Sequence, residues 1–151
     1  MAEIVYTIGT STRTIEEFIS ICKRFDLEAV ADVRRFPFSR LIHFRKDWFA
    51  SGLERSEITY FYLGNLLGGF RDEGYDRYAQ SPEFEQGLQR LKEIASEQKT
   101  AFVCAEKLPW RCHRRFIALR FSQDGWRVIH ILDQEQTWEP EDNKADLKLD
   151  I

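Results

Sequence analysis

Cysteine is scarce in this chain, three among 151 residues, and the number is odd. That count excludes a disulfide scaffold and fits a reducing compartment, so a cytoplasmic protein is expected. Long hydrophobic runs are also missing. No stretch reaches ~18 apolar residues, so no membrane-spanning helix is expected and no membrane partner. The opening MAEIVYTIG carries no charged segment followed by an apolar one, so no signal peptide is expected either. A net positive charge is absent as well. There are 22 Lys+Arg against 25 Asp+Glu, giving -3. The segment 138–151, WEPEDNKADLKLDI, holds five acidic and two basic residues, which accounts for that -3 and leaves a balanced body. A surface that coats nucleic acid is usually strongly basic, and this body is not.

What the chain does have is a globular composition: 43% hydrophobic and 14% aromatic residues, enough for one packed domain and incompatible with overall disorder. Its cations are skewed to arginine, 15 Arg to 7 Lys. Arginine suits bidentate contacts to carboxylate or phosphate and partly buried ion pairs. Much of it lies in short clusters, which points to a local anion site.

Apolar runs predict strands at 3–8, 27–33, 57–63, 100–105 and 127–132. Between them lie helical patterns. Thr14 with Glu17 three residues on forms a capping box ahead of Ile15, Phe18, Ile19 and Cys22. Lys46–Glu54 reads as a short helix. Ser81-Pro82 is an N-cap and first-turn proline before Phe84, Leu88, Leu91 and Ala95, and 109–124 reads as one helix stopped by Gly125. Strands alternating with helices, most of the strands continuously apolar, predict a single three-layer α/β domain: a mostly parallel sheet of about five strands with helices on both faces. The expected division is a domain over 1–137 and an acidic tail over 138–151. Ligands of such sheets sit outside the carboxyl ends of the strands, so the loops after residues 8, 33, 63 and 104 are where chemistry is expected.

The loop after 104 carries Cys104, Glu106, Cys112, His113, Arg114 and Arg115. Cys104 ends a strand; Cys112 and His113 are expected in the first turn of the next helix, where backbone N–H groups favour a thiolate or an anion. Cys112 is the candidate nucleophile with Cys104 beside it, and Glu106 or His113 the candidate acid or base. Packing alone also accounts for a strand-end cysteine, and His113 is equally readable as a hydrogen-bonded core histidine. Arg114 and Arg115 cannot both point at one site. A Cys-x5-Arg phosphatase loop would need arginine where Trp110 stands. Zinc held by Cys104, Cys112 and His113, with His43, is conceivable but awkward, because adjacent helical residues diverge; no cofactor is assigned.

The other loops supply Gly9 with Thr10-Ser11-Thr12, then Asp32, Arg34, Arg40 and His43-Phe44, then Gly68, Gly69 and Arg71. Asp32 at the end of a buried strand needs a partner, Arg34 or Arg40. Phe44 and Trp110 could stack a ring, or simply cover the sheet edge. The Gly9 loop lacks the phosphate-binding and dinucleotide fingerprints. Taken together, Gly9, Asp32, Arg34, Arg40, His43, Gly68, Gly69, Arg71 and Arg114 are the candidate ligand-binding set for an anionic small molecule or nucleotide. An enzyme on such a ligand is the leading expectation, and a non-catalytic nucleotide or nucleic-acid binding module the alternative.

In combination, Thr7-Ile8-Gly9, Asp32-Val33-Arg34 with Phe36-Pro37 and Ser39-Arg40, His43-Phe44, Leu67-Gly68-Gly69, Arg71-Asp72-Glu73-Gly74 with Tyr78-Ala79, Cys104-Ala105-Glu106 and Cys112-His113-Arg114 resemble the DUF488 family, a group of small microbial α/β domains. The resemblance runs over about residues 4–132. It implies the family fold and a shared polar site at those positions, and it implies no reaction. After Gly9 the family often reads His-Ser-Asn where this chain has Thr10-Ser11-Thr12, so any chemistry of that histidine is lost here.

Overall fold

A computed structural model describes residues 3–37 and 39–140. Six strands form one sheet: β1 (Ile4–Gly9), β2 (Ala29–Asp32), β3 (Thr59–Tyr62), β4 (Thr100–Cys104), β5 (Arg127–Ile131) and β6 (Thr137–Trp138), in the spatial order β3-β2-β4-β1-β5-β6. The first five are parallel, and β6 runs antiparallel to β5. The two-residue β6 is the strand that periodicity misses, since two residues show no pattern. The predicted tail begins inside it, and Glu139 just beyond pairs with Arg127 through two 2.8 Å hydrogen bonds. Residues 141–151 of that tail, and Phe38, lie outside the described residues.

Alternation along each strand sends side chains to two separate cores. Val5, Ala31, Phe102 and Val128 meet Leu88 and Leu91 of α5 (Pro82–Glu97) and Ile117 and Phe121 of α6 (Arg114–Gln123). Tyr6, Ile8, Val30 and Val103 meet Phe18 and Ile21 of α1 (Ile15–Arg24) and Phe49 and Leu53 of α2 (Lys46–Arg55) on the other face. Two one-turn helices, α3 (Gly64–Leu67) and α4 (Tyr75–Tyr78), lead from β3 into α5. This is the three-layer α/β arrangement that continuous apolar strands demand. Thr14 caps α1 with both halves of the capping box present, and Ser81 caps α5 by accepting from the Phe84 N–H.

The strand order places the site. From β1 the chain crosses by α1 toward β2, while from the adjacent β4 it crosses by α6 toward β5, on the opposite face. The loops leaving these neighbours therefore diverge and open a crevice at their carboxyl ends. Gly9 is needed there, because a Cβ on it would stand 1.9 Å from the carbonyl oxygen of Glu106. That close approach lets Thr10 and Ser11 donate their N–H groups to the carbonyls of Cys104 and Ala105, each at 2.8 Å.

One helix departs from expectation where it matters most. The span 109–124 is not continuous: Pro109–Arg111 form a 3-10 turn, Cys112 is extended (φ -134, ψ 153), and α6 starts at Arg114 behind His113. Cys112 and His113 are thus not in a first helical turn. They sit on the approach to it, where a helical periodicity count cannot distinguish one continuous helix from two pieces around a kink. The fully buried Phe44, expected as a possible stacking ring, instead fills the core beside Phe18 and Phe49.

Candidate functional site

Three of the four expected loops meet around a cleft of about 380 Å³ at the strand ends. Arg34, Arg35 and Phe36 come from the loop after β2. Gly69 and Phe70 follow α3, and Cys104, Ala105, Glu106, Arg111, Cys112 and His113 follow β4. A larger hollow on the neighbouring surface is lined by no cysteine or histidine, and a smaller apolar one lies between Trp110, Phe116 and Trp138 with no cysteine in its lining. The strand-end cleft is where Cys104, Cys112 and His113 converge.

At its floor the Sγ atoms of Cys104 and Cys112 are in direct contact. Cys104 is at the last position of β4 and almost fully buried, and Cys112 is 8% exposed, facing the cleft. His113 adjoins them. Its Nε2 lies 2.9 Å from the Val33 carbonyl oxygen, and its Nδ1 lies 3.5 Å from Cys112 Sγ. A carbonyl can only accept, so Nε2 carries the proton and Nδ1 presents a lone pair to the sulfur. Burial lowers the His113 pKa, partly countered by the Val33 bond and reinforced by the nearby Arg114 charge. That shift favours the neutral ring. The first N–H of α6, from Arg114, also donates to Cys112 Sγ at 3.5 Å. Cys112 Sγ thus has both an acceptor nitrogen and a helix N-terminal N–H directed at it. Cys22 is the contrast: buried in the α1 core, its thiol is pushed up to about 12 by desolvation and is inert.

The cations divide into those spent on the fold and those turned to the cleft. Arg34 chelates Asp32 through Nε and Nη2, both at 2.8 Å, with Tyr60 donating to the same carboxylate at 2.6 Å. This is the expected internal pair, with Arg34 as the partner. Arg71 donates to the carbonyls of Gly68 and Asn65 and lies 3.9 Å over the Tyr78 ring, locking the glycine loop from outside the cleft. Arg40 is exposed elsewhere, and His43 bonds the Arg13 carbonyl at 2.9 Å. Arg114, fully buried, reaches the carbonyls of Glu106 and Lys107 at 2.9 Å each and Thr7 Oγ1 at 3.3 Å. It clamps the cysteine loop, while Arg115 lies at the surface, so the two arginines do point apart. The close approach Gly68 permits is to Arg35, whose Cβ would lie 2.3 Å from a Cβ at 68; Gly69 forms the wall over His113.

The cleft's own charges are Arg35, Arg111 and Glu106. Arg35 donates one N–H to the Phe70 carbonyl at 2.6 Å and keeps the others. Arg111 and Glu106 make no side-chain hydrogen bond or ion pair among the described residues. Above them, Phe36 and Phe70 are exposed, their ring centroids 6.2 Å apart, and Phe70 is 82% exposed at φ 59. A left-handed backbone on an aromatic residue is costly and is characteristically retained at ligand sites. The candidate ligand-binding set did not include Arg35, Arg111, Phe36 or Phe70. One signal was present: with Arg34 turned inward to Asp32, its neighbour Arg35 is the residue left to face outward. Among the described residues, no group of three or more His, Cys, Asp or Glu is placed to hold a metal ion. No helix of the described residues is long and apolar enough to cross a membrane.

Against known proteins, the family model described as a domain of unknown function, DUF488, matches residues 14–121, well over half of the chain. No curated protein and no solved structure matches it.

Proposed function

The chain belongs to the DUF488 family, and from the cleft itself we propose that it is an enzyme acting on an anionic small molecule, with Cys112 as its nucleophile. One observation carries this reading: Cys112 Sγ lies between the unprotonated Nδ1 of His113 and the first N–H of α6, at the floor of a cleft bearing Arg35 and Arg111. Arg35 and Arg111 bind the anion. His113 Nδ1 takes the Cys112 proton, and the thiolate attacks the electrophilic atom of the ligand. As the sulfur–ligand bond forms, the leaving group departs with its bonding electrons and receives the proton from His113. Glu106, exposed at the rim, handles a proton when the covalent intermediate is released. A cytoplasmic setting suits this chemistry, because a working thiol needs reducing surroundings.

The exposed rings of Phe36 and Phe70 support a second reading, non-catalytic binding of a ring-bearing anion such as a nucleotide or a nucleic-acid base. Alkylation separates the two. With reduced protein, iodoacetamide should label Cys112 about tenfold or more faster than an ordinary thiol below neutral pH. Inorganic phosphate or a nucleotide should slow that labelling, and Arg35→Ala with Arg111→Ala should abolish the protection. Labelling no faster than an ordinary thiol, with nucleotide affinity falling steeply as salt rises, would favour the binding module.

A further inference from the structure

The position of Cys104 is not explained by the nucleophile reading. A thiolate at Cys112 needs the histidine and the helix terminus, and neither requires a second sulfur against it. Yet β4 ends with Cys104 Sγ in contact with Cys112 Sγ, and the surrounding backbone is fixed so as to keep them together. On the Cys104 side, the Thr10 and Ser11 N–H groups hold the carbonyls of Cys104 and Ala105. On the other side, Arg114 spans from the Glu106 and Lys107 carbonyls to α6 and so ties the loop's beginning to its end. The two sulfurs differ in access and in partners. Cys112 faces the cleft, His113 and the α6 N–H; Cys104 is almost wholly buried behind it, with a carbonyl 3.9 Å away at Glu106. Among the described residues, the remaining cysteine is the core residue Cys22, far from reactivity.

A cleft-facing sulfur that meets a histidine nitrogen and a helix N–H, backed by a more deeply buried sulfur in contact, is the layout of a two-electron thiol couple. We propose that Cys112 and Cys104 are an attacking and a resolving cysteine, and that the cleft carries out thiol–disulfide exchange with a low-molecular-weight disulfide bearing carboxylates. This rests on the preceding reading for the activation of Cys112 and for the anion preference of Arg35 and Arg111. In the first step Cys112 passes its proton to His113 Nδ1, and its thiolate attacks one sulfur of the small disulfide. The small S–S bond breaks, a mixed disulfide forms on Cys112, and the first thiolate leaves with the proton from His113. In the second step Cys104 attacks Cys112 Sγ, the mixed disulfide breaks, and the second small thiol departs with the proton that Cys104 gives up. The protein dithiol is oxidised to the internal disulfide by two electrons, and one small disulfide is reduced to two thiols. Excess small thiol runs the sequence backward.

Glutathione disulfide, which is anionic, and cystamine, which is cationic, serve as probes on the reduced full chain, with quenching by iodoacetamide and mass analysis. The wild type should release two thiols per chain, lose the mass of two hydrogens and hold Cys104 and Cys112 joined. Cys104→Ser should stop at a glutathione adduct on Cys112 with one thiol released. Cys112→Ser should react slower by about a hundredfold. At low salt glutathione disulfide should outrun cystamine by about tenfold, and Arg35→Ala with Arg111→Ala should erase that difference. A wild-type chain that accumulates the adduct without closing the internal disulfide would overturn the resolving role, and it decides the matter even if Cys104→Ser does not fold. Equal rates for the two probes would overturn the carboxylate preference. Resolution failing while phosphate still protects Cys112 from iodoacetamide leaves the nucleophile reading standing; loss of both removes it as well.

Discussion

At the scale of single residues, this protein shows how neighbouring arginines are sorted by their partners. Arg34 and Arg35 are identical in sequence terms, but only Arg34 sits two residues after Asp32, close enough to curl back onto it. The pair lies 0% and 7% exposed, so neither charge is hydrated enough to stand alone. Asp32→Asn keeps the shape and an acceptor for Tyr60 but leaves the guanidinium buried without an anion. A loss of about 3 kcal/mol or more is expected, read from the urea midpoint. Arg114 is a different solution: fully buried, its pKa lowered chiefly by burial, its Nη groups satisfied by two carbonyls and a threonine, with Nε unpartnered. Such a residue costs stability in isolation and earns its place by fixing the loop that holds the cysteines.

At the scale of elements, the close contact between the end of β1 and the loop after β4 governs the cleft. Two chain segments cross at Gly9 with no room for a methyl group. Gly9→Ala should push the Glu106 carbonyl outward, cost about 2 kcal/mol by overpacking, and slow Cys112 alkylation; the first is read by denaturation and the second by labelling rate. An unchanged labelling rate would show that the loop reaches its position without that contact. The kink at Cys112 belongs to this scale as well. A continuous helix from Pro109 would carry the cysteine round by the helical rotation; the extended residue at 112 instead turns its sulfur toward Cys104 while leaving α6's first N–H directed at it.

At the scale of the whole molecule, a buried polar chain joins three elements across the sheet. His130 of β5 bonds Thr7 of β1 at 2.6 Å, and Thr7 accepts from Arg114 of α6. Desolvation, aided by the Arg114 charge, pushes the His130 pKa down to about 3. An unfolded histidine titrates near 6.5, so below that pH the unfolded chain binds a proton the folded chain refuses. Stability from this group is full above pH ~6.5 and declines as the pH falls toward about 3, by at most about 5 kcal/mol. His130→Asn, which keeps a polar partner for Thr7, should flatten that part of the curve of stability against pH. A wild-type curve already flat from pH ~6.5 to ~4 would show that His130 accepts its proton in the folded state.

The amino-acid sequence by itself determined the layers and the edge where chemistry gathers. Continuous apolar strands alternating with capped amphipathic helices leave only a parallel sheet covered on both sides, and such a sheet exposes its polar loops at one end. The Asp32–Arg34 pair and the Thr14 capping box were legible too, because both are local, set by residues two or three apart. Tertiary structure alone decided which charges face the cleft and which are consumed. Arg71 and Arg114 look like ligand cations until the loops fold back and the carbonyls of Asn65, Gly68, Glu106 and Lys107 are seen to occupy them, and Arg111 looks incidental until the 3-10 turn points it into the opening. The contact of Cys104 with Cys112 likewise required the fold. Eight residues of separation can place two sulfurs together or apart, and here the crossing at Gly9, the Arg114 clamp and the break before α6 bring them into contact.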